Sequence, residues 1–269
     1  MVSKSEGEYT MINPTLKYYP INHEAVAFST TRRGGASTGN YAEFNINPYC
    51  GDSADHIRAN REALARTLGI SPERIVIPHQ VHDTRLLVAD ADFLNATDEA
   101  KSQRLEGVDG LLTQERGVCI GVSTADCIPL ILYDRRRHAS AAIHAGWRGT
   151  VKGIARIAME SMTKAFGSHP RDITAVVGPG ISLAAFEVGD EVYEAFAHAG
   201  FPMERVAKRY EKWHIDLPEC NRWLLGEAMV APENIHSTGI CTWRQADTFF
   251  SARRLGQLSG RIFTGILLK

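Results

Sequence analysis

Short apolar runs, rich in β-branched residues and closed by Gly, Pro, Asp or His, recur along the chain. Runs of this kind, bounded by turn formers, read as strands. They fall at Ala25–Thr30, 74–77, 85–89, Gly110–Thr113, 118–123, 129–133, 140–143, 174–177 and Ile262–Leu268. Helical spacing appears between them. Residues 54–68 place Ile57, Leu64 and Leu68 on one face, with Asp52 or Ser53 as the cap and Gly69 as the stop. Residues 150–166 carry Val151, Ile154, Ala158, Met162 and Ala165, with Thr150 as the cap. Residues 217–229 open with Asp216 and Glu219 in capping-box spacing and align Leu217, Cys220 and Leu224. A weaker helix follows Val188. Two stretches, 31–55 and 91–107, keep neither period and read as long loops, the second weakly helical. Strands in the middle with helices around them predict an α/β fold, a mixed α+β sandwich. No repeat, linker or compositional break divides the chain, so one domain over 1–269 is expected.

Composition narrows the class. With 44% hydrophobic and 23% charged residues among 269, the chain can bury a core without disulfide staples. A formal net charge of −1 gives no general drive toward nucleic acid or anionic membrane. No stretch approaches the ~18 consecutive apolar residues of a membrane helix, and the start, MVSKSEGEYTMINP, lacks the apolar segment of a secretory signal. A cytoplasmic protein is expected, with no nucleic acid or membrane partner; a homodimer is compatible with the sequence. Five cysteines without a CxxC pair argue against a disulfide framework and leave each to be read separately.

The chemistry concentrates in residues 117–150, GVCIGVSTADCIPLILYDRRRHASAAIHAGWRGT. Strands 129–133 and 140–143 form a hairpin around the basic turn Arg135–Arg137, so its open ends bring Cys127 beside His144. A helix starting just after His144 adds free backbone N–H groups and partial positive charge, which suits an anion or a developing oxyanion. Upstream, Pro78-His79-Gln80-Val81-His82 offers two more imidazoles. If His82 reaches Cys127 and His144, one thiolate and two imidazoles make a reasonable zinc site, with a fourth position open. Two other readings of the same residues stay open. Cys127 and His144 can form a metal-free nucleophile pair, or Cys127 is core and each His a structural group.

Taken together, these residues resemble the YfiH family, also called the multicopper polyphenol oxidase or laccase-domain family, to which the animal purine-metabolism enzyme FAMIN belongs. The resemblance rests on motifs in order along most of the chain. Among them are residues 30–37 (TTRRGGAS), Phe44-Asn45-Ile46, Asn60-Arg61, Gln80-Val81-His82 and residues 108–113 (VDGLLT). The most specific are residues 124–129 (TADCIP) followed by 144–149 (HAGWRG); later matches are 178–181 (GPGI), Cys241-Thr242 and 250–254 (FSARR). Three small departures exist: Asp83 after the QVH motif, Gly107-Val108-Asp109-Gly110, and Trp243. None removes a metal-ligand candidate. Asp83 reads either as an acceptor for the His82 imidazole or as a solvated loop charge.

The resemblance implies a sandwich related to the cytotoxic-necrotizing-factor catalytic domain, and metal ligation by His82, Cys127 and His144, with one zinc per chain. It also implies phosphorolysis of adenosine, inosine, guanosine and 5′-methylthioadenosine, and deamination of adenosine. Arg32, Arg61 and Arg148 become phosphate candidates, because a guanidinium grips phosphate bidentately. Arg148 leads them, since it borders a ligand and a helix start. Asn45 becomes a candidate contact to ribose or base. Asp126 becomes a candidate to orient a histidine or move a proton, although alternation along a strand would point it away from Cys127. The rival enzyme reading is a copper-dependent polyphenol oxidase. It demands many clustered imidazoles, whereas the ten histidines contain no HxH pair and are dispersed. A metal-free Cys-His hydrolase and a binding protein with a dead pocket complete the alternatives.

Overall fold

The computed structural model describes residues 12–269; the polar start, on which the absence of a signal segment was read, lies largely outside them. The strands are β1 (Leu16–Asn22), β2 (Ala25–Thr30), β3 (Ile75–Val76), β4 (Leu86–Val88), β5 (Gly110–Thr113), β6 (Cys119–Thr124) and β7 (Ile128–Asp134). They continue with β8 (Ala139–Ala145), β9 (Ile173–Val177), β10 (Glu187–Val188), β11 (Ala207–Arg209), β12 (Trp213–Ile215), β13 (Ile235–Ser237) and β14 (Ile262–Leu268). Two mixed sheets dominate, ordered β1-β2-β14-β6-β3 and β13-β9-β7-β8-β5-β4; β10, β12 and β11 form a small third sheet. The helices that matter below are α1 (Ala54–Leu68), α2 (Ala91–Leu94), α3 (Asp98–Leu105), α4 (Trp147–Val151), α5 (Ile154–Phe166), α6 (Asp190–His198), α7 (Met203–Val206), α8 (Leu217–Glu227) and α9 (Ala252–Leu255).

The two large sheets pack face to face. Ile120, Val122 and Ile266 of the first meet Leu111, Ile131, Tyr133, Ala142 and Val176 of the second in one buried cluster. On the outer side of the first sheet, Phe28, Cys119, Phe263 and Leu267 cover Ala63 and Leu64 of α1. Outside the second, Leu130, Leu132, Ala141 and Ile143 pack on Ile154, Ala158 and Met162 of α5 and on Cys220 and Leu224 of α8. The result is a helix–sheet–sheet–helix sandwich, the expected α/β class. Strands covered on both faces read as continuous apolar runs rather than alternating ones, and every residue of β7 and β8 is buried. Truncating such a side chain, Leu130 for example, costs about 2–5 kcal/mol.

Several expected boundaries move. Residues 150–166 are not one helix: Gly153, at φ +78°, breaks it, so α4 starts after Gly146 and α5 starts at Ile154. Thr150 is therefore inside a helix, where its hydroxyl accepts from Asn221 Nδ2 at 3.1 Å. The stretch 91–107 is not a loop. Asp90 and Thr97 accept from the backbone N–H groups of Phe93 and Ala100 and so cap α2 and α3, local chemistry that weak apolar periodicity does not reveal. At α8, Asp216 caps through Glu219 N at 3.0 Å. The Glu219 carboxylate instead pairs with Arg205, so only half of the capping box forms. The helix after Val188 is α6, and it follows Gly189.

Candidate metal centre

Hairpin register delivers two of the three candidate ligands. Pairing of Pro129 with His144 and of Ile128 with Ala145 sets Cys127, the residue before β7, beside the end of β8. The third arrives from the segment after β3. Gln80 extends that strand's pairing by side chain: its Nε2 donates to Ser123 O at 2.9 Å, and its Oε1 accepts from Ser123 N at 2.7 Å. Two residues on, His82 turns with φ +64°, a left-handed conformation costly for a side-chain-bearing residue. The donor atoms of His82, Cys127 and His144 then lie within 4.8 Å of one another, the one such cluster of three or more among the described residues. The two imidazoles meet edge to face, with ring centroids 4.7 Å apart.

Asp109 secures this geometry, and the sequence reading passed over it. Its carboxylate is fully buried. Oδ1 accepts from His144 Nδ1 at 2.8 Å and from His82 N at 2.9 Å. Oδ2 accepts from Asp83 N at 2.8 Å and Val81 N at 3.2 Å. One acid thus orients one imidazole and holds the backbone that carries the other. The signal was a charged residue leading straight into the apolar run Gly110–Thr113, where a buried carboxylate must find donors. Asp83 does not share this role: it is half-exposed and pairs with Lys152 Nζ at 2.7 Å, the solvated reading.

Electrostatics follow from these contacts. Burial raises the Asp109 pKa, but the bonds from His144 and the backbone outweigh it and hold the carboxyl below the usual range. Burial likewise works against a charged Cys127, yet the neighbouring His144 and His82 bring its thiol down to about 6. Burial depresses His144, and the Cys127 thiolate with Asp109 reverses that, pushing it up to about 9. By themselves, these groups form a thiolate–imidazolium pair backed by a carboxylate. Room for an ion is kept by Gly146: a Cβ there would stand 3.0 Å from His82 Cδ2 and 3.1 Å from Cys127 Sγ. A soft thiolate, two imidazoles, one of them oriented by a carboxylate, and a cleared position over them fit a metal ion.

A cavity of about 150 Å³ opens on the triad, lined among others by Asn47, Tyr49, His79, Gln80, Ser123 and Arg261. The other candidate site residues lie outside it. Arg32 donates to the carbonyls of Ala42 and Ala246, both at 2.8 Å, and stacks over Phe250. Arg61 donates to the carbonyls of Pro72 and Ile75 and lines a neighbouring cavity beyond Tyr49. Arg148 is exposed over the Trp147 ring and lines no cavity next to the triad. Asn45 is buried within the 31–55 segment, donating to Asp52 at 2.9 Å and accepting from the Asn47 and Arg261 backbones. Asp126, at φ +87°, accepts from Thr242 Oγ1 and from Arg253 N, both at 2.7 Å, rather than from a histidine. Sequence marks those side chains by type alone, whereas their hydrogen-bond partners come from distant segments. The guanidinium in the wall of the triad cavity is Arg261, which no local motif marks.

Residues 26–269 match the family described as multi-copper polyphenol oxidoreductase laccase. The chain belongs to this family. A relative from Bacteroides thetaiotaomicron named purine nucleoside phosphorylase is 48% identical over 93% of both chains. Another, from an unknown prokaryotic organism and named adenosine deaminase RL5, is 42% identical over 90% of this chain and 94% of its own. Among solved structures, YfiH of Bacillus licheniformis superposes with a TM-score of 0.85 at 30% identity, covering 91% of this chain and 93% of its own. The laccase-type family thus includes the YfiH proteins that the motifs resemble. Among the described residues of this member, no helix is long and apolar enough to cross a membrane.

Proposed function

We propose that this chain is a zinc-dependent purine nucleoside enzyme. It cleaves adenosine, inosine, guanosine and 5′-methylthioadenosine with phosphate to free base and the (methylthio)ribose-1-phosphate, and it deaminates adenosine. One observation carries the reading: His82, Cys127 and His144 converge within 4.8 Å while Asp109 accepts the Nδ1 proton of His144. Support also comes from the names of the relatives, purine nucleoside phosphorylase and adenosine deaminase.

His82, Cys127 and His144 would hold the ion, one per chain. With Nδ1–H donated to Asp109, His144 turns its Nε2 lone pair toward the centre. Cys127 presents a thiolate at neutral pH, because its thiol titrates near 6. A divalent ion held there supplies Lewis acidity. Gly146 keeps the approach to the triad open, and the left-handed turn at His82 aims the third ligand from the segment opposite the hairpin. Zinc is favoured over copper because a multicopper centre demands several such clusters, whereas the described residues hold one.

Two measurements test the reading. Metal analysis of protein purified without added metal should give about one zinc per chain, a tetrahedral N/S site being filled by zinc; several copper ions would support the oxidase instead. Incubation with inosine or adenosine, with and without phosphate, should release free base and ribose-1-phosphate only with phosphate. The absence of phosphate-dependent base release from all four nucleosides refutes the proposal. Activity that survives chelation but not alkylation of Cys127 points to a metal-free thiol enzyme.

A further inference from the structure

His82 and Cys127 of the triad lie at a waist between two chambers, whereas His144 lines only the first. His82, Cys127, Ala125, Ala252 and Gln257 line both. The first chamber, about 150 Å³, includes Gln80, Ser123, Thr124 and Arg261 in its wall and has no Asp or Glu side chain among its lining residues. The hydroxyls of Ser123 and Thr124 are buried and have no hydrogen-bond partner. Buried polar atoms are ordinarily satisfied, so two orphans beside a cavity point to a ligand that satisfies them. The second chamber, about 360 Å³, is walled by Trp147, Ile181, Phe186 and Leu217. The Arg253 guanidinium stands 5.7 Å over the Phe186 ring. Its one acid, Asp126, is already engaged by Thr242 and the Arg253 backbone.

We propose that the polar chamber takes inorganic phosphate and the aromatic chamber takes the purine nucleoside, so that the two approach the triad from opposite sides. This assignment rests on the nucleoside reading above. The smaller chamber falls below the ~300 Å³ at which sites for drug-sized ligands begin, and the larger one exceeds it. Two unpartnered hydroxyls and the positive charge of Arg261, whose Nη1 and Nη2 also donate to the carbonyls of Ser259, Gly260 and Gln257, meet no competing carboxylate and match an anion's acceptor oxygens. Apolar and aromatic walls match the flat faces of a base. In the step itself a phosphate oxygen forms the bond to C1′ as the C1′–N9 bond breaks. The electron pair leaves with the base, and the proton of hydrogen phosphate ends on it.

Calorimetric titration of the metal-loaded full chain, with inorganic phosphate and separately with inosine, tests the assignment. Ser123→Ala combined with Thr124→Val should weaken phosphate binding about tenfold, as expected for lost hydrogen bonds to a charged ligand, and leave inosine binding unchanged. Phe186→Leu and, independently, Trp147→Leu should weaken inosine binding about tenfold through lost stacking area and leave phosphate binding unchanged. Zinc content and far-ultraviolet circular dichroism establish that each variant folds; should one aromatic variant misfold, the other decides. A crossed pattern, or no change in either pair, overturns the chamber assignment while the nucleoside reading stands. A wild-type protein that binds neither ligand overturns both.

Discussion

Asp109→Asn is the sharpest perturbation of this site, because it keeps size and shape and changes only charge and donor pattern. The wild-type carboxylate accepts four N–H groups, two on each oxygen: His144 and His82 on Oδ1, Asp83 and Val81 on Oδ2. An amide has one oxygen and one NH₂. In either orientation two of the four donors therefore face a nitrogen. A buried donor left unsatisfied costs about 1–3 kcal/mol, so two cost about 2–6 kcal/mol. The same change loosens the His144 ring and the backbone of His82 together, and altering a partner that orients a metal-bound imidazole lowers affinity about 10–100-fold. Urea unfolding of the metal-loaded protein reads the first quantity, and competition with a chromophoric chelator reads the second. Stability within about 0.5 kcal/mol of wild type, the ordinary range for harmless surface changes, together with unaltered affinity, would refute the role given to Asp109. The pH dependence has a definite sign. Since the Asp109 carboxyl is held below its usual value, its contribution is present above the ordinary carboxylate pKa of ~3.9 and is lost only as pH falls through the lower native value.

Three further outcomes follow from the same geometry. In metal-stripped protein, the rate of Cys127 alkylation by iodoacetamide should rise with pH around a midpoint of about 6 and be suppressed by added zinc; a midpoint at the ordinary thiol value of ~8.5 contradicts the thiolate–imidazolium pair. Gly146→Ala has an allowed backbone, φ −70° and ψ 167°, but puts a methyl 3.0 Å from His82 and 3.1 Å from Cys127. It should therefore lower metal content at little cost in melting temperature, and full metal occupancy would argue against an ion in that space. Gln80→Ala removes both side-chain bonds to Ser123 and should destabilise by about 1–3 kcal/mol while weakening metal binding; a stability loss with unchanged chelator competition would mean that Gln80 supports the sheet and not the ligand.

How much of this was legible in the sequence differs by residue. The Ile128–Asp134 and Ala139–Ala145 strands announce themselves because burial on both faces leaves uninterrupted apolar runs around an obvious turn. Their hairpin fixes the proximity of Cys127 and His144 from local pattern alone. His82 is different: it is 45 positions before Cys127, and nothing local states that Ile75–Val76 pairs in parallel with Cys119–Thr124. Leu16–Asn22 went unread because half-exposed edge positions dilute its alternation. Arg32, Arg61 and Asn45 carry the right functional groups, but each spends them on carbonyls or side chains that the fold brings from elsewhere. Asp109 was invisible for the converse reason: its four partners belong to segments that meet only in the folded sandwich.

Backbone conformation gives an independent argument that this end of the sandwich was shaped for something other than stability. Among the described residues, four that are not glycine have positive φ: His82, Asp126, His138 and Met229. One is a ligand of the triad, and another immediately precedes a ligand. Such conformations cost of order 1–3 kcal/mol each and persist where the surroundings over-determine them. Here the restraints can be named. Asp109 takes the N–H groups of residues 81–83 and pins the turn at His82. Thr242 and the Arg253 backbone take both oxygens of Asp126 and pin the turn into Cys127. A relaxed turn at either point would swing its ligand off the common centre. The two carboxylates therefore act in parallel, one behind each strained residue, and neither needs to touch a substrate to matter. On this argument Asp126→Asn should disturb metal geometry through Cys127 while Asp109→Asn does so through both histidines. The cobalt(II)-substituted proteins, whose visible spectra separate thiolate from imidazole ligation, would tell the two apart.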